Sequence, residues 1–348
     1  MAHLTRENIY SGAAPESFGF KRIIYHKSGY KATVTINRPE ALNCFDYQTL
    51  TELGQAFLDV SNDDAIAVLV VTGAGERAFC TGADLKEQEE FLKKPNDYHK
   101  WFYAFLEMHD RLRNIGKPTI ARLNGMVVGG GNELNMACDL AIAADHITIK
   151  QVGAARGSVA AGGATQWLPL IIGDRRAREM LLLCENIDAY TALEWGLVNQ
   201  VVPGSMLDTA VDAMAEKLHA KLPECTRYTK QQLNFWRDFS WSMTIGHARD
   251  WLTIHAGSKE VKHGLDSFRQ KAEMDYAAIR ADRSNGGDRG GSDRGGRSER
   301  GGREPAREST RESGPAKDDS HKATCTGCSE KIPAEFVYCG KCGKKVEE

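Results

Sequence analysis

Neither sign of charge dominates this chain. Its 45 Lys and Arg stand against 47 Asp and Glu, a formal net charge of -2 with a pI near 6.6. No overall field therefore draws it to nucleic acid or to an anionic membrane surface. Long hydrophobic runs are missing too. Nowhere do about 18 apolar residues follow one another, and no early stretch joins a basic start to an apolar core and a cleavage site, so neither a membrane span nor a leader is expected and the expected compartment is the cytoplasm. Cysteine is scarce until the end. Cys44, Cys80, Cys138, Cys184 and Cys225 are scattered singly, four more cluster near the C-terminus, and no structural disulfide is expected. Between 282 and 320 there is no Val, Ile, Leu, Met or aromatic residue, so that stretch has nothing with which to build a core.

With 348 residues the chain is long enough for one large domain plus appendages. Four segments are expected: an arm over 1–20, a main domain over 21–280, a disordered Arg/Gly/Ser-rich linker over 281–320 and a small terminal unit over 321–348. Within the main domain, Ala32, Val34 and Ile36 alternate with Lys31, Thr33 and Thr35 as a half-buried strand requires, and two early strands are expected. Helical spacing follows over 47–60, and residues 65–72 (AIAVLVVT) form the continuous apolar run of a strand covered on both faces. Residues 115–123 and 140–144 are further strand candidates. Strands alternating with helices predict an α/β architecture with a mainly parallel sheet. From 167 to 202, and on to about 278, helical patterns dominate.

Three loops rich in small residues, 73–84, 124–131 and 153–164, imply a cleft lined by backbone. Residues 124–139 (NGMVVGGGNELNMACD) form the central one, a strand end, a glycine turn and a helix start. Glycines there let a reacting group approach the backbone, and the free N–H groups of the first helical turn suit an anion. Glu133 lies in that turn. One reading makes it a surface charge complementing the helix dipole; the other makes it a general base beside an oxyanion hole. The aromatic run over 98–105 (YHKWFYAF) fits a core helix, or a lid between two glycine turns.

The linker repeats acid-Arg-Gly-Gly at 288–291, 293–296 and 299–302. Arg-Gly-Gly repeats can bind RNA, but every arginine of these repeats has an acidic neighbour and no aromatic is present to stack on a base, which favours a plain tether. Beyond it stand Cys325-Thr-Gly-Cys328 and, after ten residues, Cys339-Gly-Lys-Cys342. Two CxxC turns offer the four thiolates of a closed structural zinc site, and a tail with hardly any core needs such a staple. A redox dithiol needs only one such turn, and a catalytic zinc keeps a position open, so a zinc ribbon is the expectation.

The motifs of the main domain resemble the crotonase (enoyl-CoA hydratase/isomerase) superfamily: NRPEALN at 37–43, AFCTGADL at 78–85, NGMVVGGGNEL at 124–134, GGATQWLP at 162–169 and GLVNQVVP at 196–203, with EVKHGLDSFRQK at 260–271 similar to that family's C-terminal helix. The resemblance implies a spiral of ββα repeats with a helical trimerisation region, a trimer or dimer of trimers (a hexamer), and an acyl-CoA substrate of fatty acid or aromatic acid degradation. By the same resemblance, the N–H groups of Ala83 and Gly130 bind the thioester oxygen. Ala41, Ala78, Gly82, Asp84 and Gly129 border coenzyme A and the acyl group, with Gln151 and Gly153 on the following loop. Glu133 matches the family's first glutamate, which positions or deprotonates water. No cofactor is implied for the chemistry.

One departure stands out. Hydratases of this family carry a second glutamate where this chain has Gly153, and syn addition of water calls for two acid–base groups. The same loss occurs in two relatives that the chain resembles. One is the 1,4-dihydroxy-2-naphthoyl-CoA synthases, which lack the first glutamate and carry an aspartate near position 160; the other is the 6-oxocyclohex-1-ene-1-carbonyl-CoA hydrolases, which share the GS..GGAT..LP pattern but have a long insertion after the VVP segment. The expectation is therefore a lyase of hydratase type acting on α,β-unsaturated acyl-CoAs, cyclic ones included, with a ring-opening hydrolase as the alternative. A scaffold whose ribbon contacts RNA or protein is a third reading, for which intact Gly129, Gly130, Gly131 and Glu133 would have no use.

Overall fold

The computed structural model describes residues 12–91, 93–255, 257–284, 321–324 and 331–333. The alternation read at 23–36 becomes a hairpin of β1 (Ile23–Ser28) and β2 (Lys31–Ile36), paired antiparallel around Gly29 at φ 56°. Helix α1 (Tyr47–Asn62) starts where the Asp46 carboxylate accepts from Thr49 N–H at 2.7 Å, an N-cap that satisfies a donor the first turn would otherwise leave open. Strand β3 (Val68–Gly73) is buried along its whole length, as its unbroken apolar run requires of a central strand.

From β3 onward the chain repeats one unit. A parallel strand of a large sheet is followed by a short strand of a small sheet and then by one or more helices. Thus β3 leads to β4 (Ala78–Cys80) and helices α2 (Leu85–Phe91) and α3 (Pro95–Arg113); β5 (Thr119–Leu123) leads to β6 (Met126–Val128) and α4 (Gly130–Ala137); β7 (Leu140–Ala144) leads to β8 (Thr148–Lys150) and the single-turn α5 (Gly153–Arg156). The large sheet, whose last strand is β10 (Gln200–Val202), is ordered β1-β2-β3-β5-β7-β10 and is parallel except for the first pair, while the small one, which ends on β9 (Ile187–Asp188), is ordered β4-β6-β8-β9. This winding brings the ends of β4, β6 and β8 side by side, so turns distant in sequence share one place.

The later segment is less purely helical than its pattern suggests. Helices α6 (Ala164–Ile172), α7 (Asp174–Leu183) and α8 (Ala189–Glu194) are interrupted by β9 (Ile187–Asp188), and GLVNQVVP contributes β10 (Gln200–Val202), the sixth strand of the large sheet. Strands of two and three residues are too short to show a period. What fixes β10 is Asn199, whose side chain accepts from Ala141 N–H and whose own N–H donates to Ala141 O, both at 2.8 Å. Helices α9 (Leu207–His219), α10 (Pro223–Leu233), α11 (Phe235–His255), α12 (Lys259–Gln270) and α13 (Tyr276–Ser284) complete this unit. Lys230 on α10 ties them to the sheet, donating to Asp139 Oδ2 at 2.8 Å and to Lys117 O at 2.9 Å from a buried position.

The aromatic run proves to be core rather than lid. Tyr98, Trp101, Phe102 and Phe105 lie buried on α3 as a chain of ring contacts, with Trp101 and Phe105 stacked at 5.2 Å between centroids, while Tyr103 on the opposite side is exposed. Among the described residues, no helix is long and apolar enough to cross a membrane. The chain divides into two compact units, Met1–Asp288 and Arg289–Glu348. In the second, β11 (His321–Thr324) pairs antiparallel with β12 (Lys331–Pro333). Cys325, Cys328, Cys339 and Cys342 lie outside the described residues.

Candidate active site

Two turns build the site. After β4 the chain passes through Gly82 at φ 84°, and after β6 through Gly129 at φ 55°, both in the region that favours glycine. The turns meet: a Cβ on Gly82 would stand 2.9 Å from the Gly130 nitrogen, so a side chain at 82 would displace α4. Ala83 forms a parallel bridge with Phe45, in which Phe45 N–H donates to Gly82 O at 2.7 Å and Asp84 N–H to Phe45 O at 2.8 Å. Those bonds use the groups on either side of Ala83 and turn its own N–H the other way. Gly130 opens α4, where a helix has no carbonyl four residues back to receive its N–H. Among the described residues, neither Ala83 nor Gly130 donates its N–H to a protein acceptor. Two adjacent unspent donors at the start of a helix form a site for a developing oxyanion.

One turn further along α4 lies Glu133, 3 % exposed. Its side chain turns towards the start of α6, where Ala164 N–H donates to Oε1 at 3.4 Å. Burial pushes its pKa up to about 7, against the opposing pull of the N–H groups of Gly162, Ala164 and Ala161. A carboxylate poised near neutrality takes and returns protons with little penalty in either direction. Hence the surface-charge reading of Glu133 does not fit its surroundings. Phe45 and Phe105 pack against the start of α4, their ring carbons 3.2 and 3.6 Å from where a Cβ on Gly130 would stand.

The residues singled out from the sequence fall into two groups. Ala83, Gly130, Gly82, Gly129 and Glu133 come together. Gln151 is buried behind them, its Nε2 3.5 Å from Gly129 O, and so braces the turn. Ala78 lies inside β4 with its carbonyl held by Asn43 at 2.7 Å and Asn124 at 3.2 Å, so it supports the loop rather than lining the cleft. Asp84 is taken up by Arg38, whose guanidinium donates to Oδ2 at 2.8 Å; burial opposes its ionisation, but that bond together with Lys86 N–H holds its pKa below the ordinary value. Ala41, partly buried, ends a 3-10 turn over Pro39–Ala41. Gly153 opens α5, and a Cβ there would stand 2.9 Å from Ser158 O, so this loop leaves no room for a carboxylate side chain without moving.

Several supporting residues carried no separate signal in the sequence. Asn43 and Asn124 hold the loop between β3 and β4: Asn43 Nδ2 donates to Ala74 O at 3.0 Å while its Oδ1 accepts from Arg38 N–H at 3.0 Å, and Asn124 Nδ2 donates to Gly75 O at 2.6 Å. Both asparagines stand inside quoted motifs, so their presence was visible but their partners were not. Phe105, four residues before the buried His109, was visible only as one aromatic among many.

Comparison with known proteins bears on the fold. The family model described as "Enoyl-CoA hydratase/isomerase" matches residues 28–278. Among solved structures, an enoyl-CoA hydratase from Bacillus anthracis is 28 % identical with a TM-score of 0.60, over 74 % of this chain and 99 % of that one. A carnitinyl-CoA hydratase from Mycobacterium avium is 29 % identical with a TM-score of 0.63, over 74 % and 98 %. DspI of Pseudomonas aeruginosa is 32 % identical with a TM-score of 0.57, over 66 % and 93 %.

Proposed function

Since the chain belongs to the enoyl-CoA hydratase/isomerase family, we propose that it adds water to the double bond of an α,β-unsaturated acyl-CoA, cyclic acyl groups included. The observation that carries this reading is the meeting of two unspent N–H donors, on Ala83 and Gly130, with one buried carboxylate, Glu133. Attack of water on the β carbon turns the thioester into an enolate. Two preorganised donors stabilise its oxygen, each contributing on the order of 2.7 to 4 kcal/mol. Glu133 takes the proton of the attacking water and, in the absence of a second carboxylate, returns a proton to the α carbon. Coenzyme A belongs to the substrate, and the chemistry asks for no other cofactor. A scaffold role gains no support from a buried base beside empty donors.

Gly153 favours a second reading, ring-opening hydrolysis of a cyclic 6-oxo acyl-CoA, since that resemblance also shows no glutamate at this position. Mixing the protein with a panel of linear and cyclic enoyl-CoAs, followed by enoyl absorbance and product mass, tests both. Gain of one water with the ring intact supports hydration, an opened ring supports hydrolysis, and no loss of absorbance with any member would overturn both.

Assembly and tail enter the proposal as well. Leu233, Trp236, Phe239 and Met243 stand exposed on α10 and α11, an apolar face that suits burial against further copies in a homotrimer or a dimer of trimers. The four terminal cysteines suit one structural zinc, with a protein or RNA partner for the ribbon.

A further inference from the structure

The segment 44–46 and the turn 82–84 run side by side, with Ala83 in the middle of the turn. Their backbone contact is a single parallel bridge between Phe45 and Ala83, and neither segment belongs to a longer strand. So short a contact does little to fix the direction of the Ala83 N–H. Arg38 adds a second tie. Its Nη1 donates to Cys44 O at 2.8 Å on the first segment and its Nη2 to Asp84 Oδ2 at 2.8 Å on the second, with Asp46 Oδ2 3.5 Å from Nη2. One planar guanidinium thus grips the residue before Phe45 and the residue after Ala83.

Both ends of this clamp are themselves anchored. Arg38 is buried, and its backbone N–H donates to Asn43 Oδ1 at 3.0 Å. Asp84 Oδ1 accepts from Lys86 N–H at 3.0 Å, which seats the carboxylate on the first turn of α2. Stability is a poor reason for such a pair, because desolvation of two charges offsets most of their attraction. The Nε of Arg38 is also buried without an acceptor among the described residues, a further cost. What the pair supplies is geometry: a rigid fork holds two acceptors at set positions, which a flexible ammonium does not. Phe45 carries the restraint to the second donor, its Cε2 3.2 Å from where a Cβ on Gly130 would stand.

We infer that Arg38 is a positioning residue for the oxyanion site, whose fork, acting through Cys44 and Asp84 rather than on the substrate, aims the Ala83 N–H. This rests on the oxyanion reading above and adds the side chain that sets the direction of one donor.

Polarisation of a bound thioester reads that donor directly. A cinnamoyl-CoA with a para-dimethylamino group is strongly coloured, and its absorbance moves to longer wavelength when hydrogen bonds draw charge onto the thioester oxygen. The unaltered protein should red-shift this probe. Arg38→Met should bind it within a few-fold as tightly, lose most of the red shift and lower kcat on an enoyl-CoA about 100-fold, as for one misaimed donor, with KM little changed. Arg38→Lys, which keeps the charge but not the fork, should recover only part of both. A full red shift in folded Arg38→Met overturns the inference, and so does full recovery by Arg38→Lys, since a point charge would then do the work of the fork. If Arg38→Met does not fold, Arg38→Lys decides: a reduced shift at retained affinity supports the inference, and a full one overturns it. No red shift with the unaltered protein would remove the oxyanion donors and this inference together. A shift that Arg38→Met loses, in a protein that hydrates no enoyl-CoA, would leave the clamp standing and remove the proposed reaction instead.

Discussion

Glu133 and Gly162 are packed so closely that a Cβ on Gly162 would stand 2.6 Å from Glu133 Oε2 and 2.7 Å from Phe105 Cζ. The carboxylate is thus seated against bare backbone at the start of α6, which fixes where its oxygens point.

Gly162→Ala should therefore fold yet work poorly. The added methyl must push either the carboxylate or the ring, and displacement of a general base costs up to its whole contribution, about 100-fold or more. Turnover on a linear enoyl-CoA, with circular dichroism as the control for folding, measures this. Unchanged turnover would show that the seat of Glu133 is unimportant.

Gly130→Val probes the oxyanion donors. Its Cβ would stand 3.2 Å from Phe45 Cε2 and 3.3 Å from Gly82 Cα, tight enough to shift the turn that aims both N–H groups. Turnover should fall by more than the roughly 100-fold expected for one lost donor, with affinity for coenzyme A itself retained. A folded variant of near-normal activity would remove these donors from the mechanism.

Much of this was legible in the residues. The run at 65–72 announced a central strand and became β3, and the motif at 124–134 announced a strand, turn and helix and became β6, Gly129 and α4. What escaped was set by partners far along the chain. The carbonyls held by Asn43 and Asn124, the α6 terminus facing Glu133, and the Asn199 clip that makes a strand of 200–202 join residues that no local pattern connects. The aromatics of α3 were ambiguous for the same reason, since helical spacing alone does not say whether a ring-bearing face meets core or cleft.

The raised pKa of Glu133 predicts two pH effects of definite sign. Water activation needs the ionised form, so kcat should rise with pH through an apparent pKa near 7. Stability should move the opposite way: between about 4.5 and 7 the folded protein holds a proton on Glu133 that the unfolded chain has released, so the favourable contribution of the protonated group is lost as pH climbs through that window. Urea midpoints of the protein and of Glu133→Gln, compared at pH 5 and pH 8, should shift in favour of the variant at the higher pH. A difference that does not change with pH would contradict the raised pKa.

For the tail, protein purified under reducing conditions should contain one zinc per chain, lost on replacing Cys325 and Cys328 by serine. A chain ending at Ser284 should lack the metal and keep its turnover. Zinc-free full-length protein would end the ribbon assignment, and loss of turnover on truncation would give the tail a part in catalysis.

The central claim is that Glu133 carries the acid–base work alone, and Glu133→Gln tests it most directly. Glutamine keeps the size and most of the hydrogen bonding of the side chain but cannot take a proton. Turnover of the best enoyl-CoA should fall about 100- to 10,000-fold while acyl-CoA affinity, measured on the same preparation, stays within a few-fold. Unchanged turnover would contradict the account and place the chemistry on other residues.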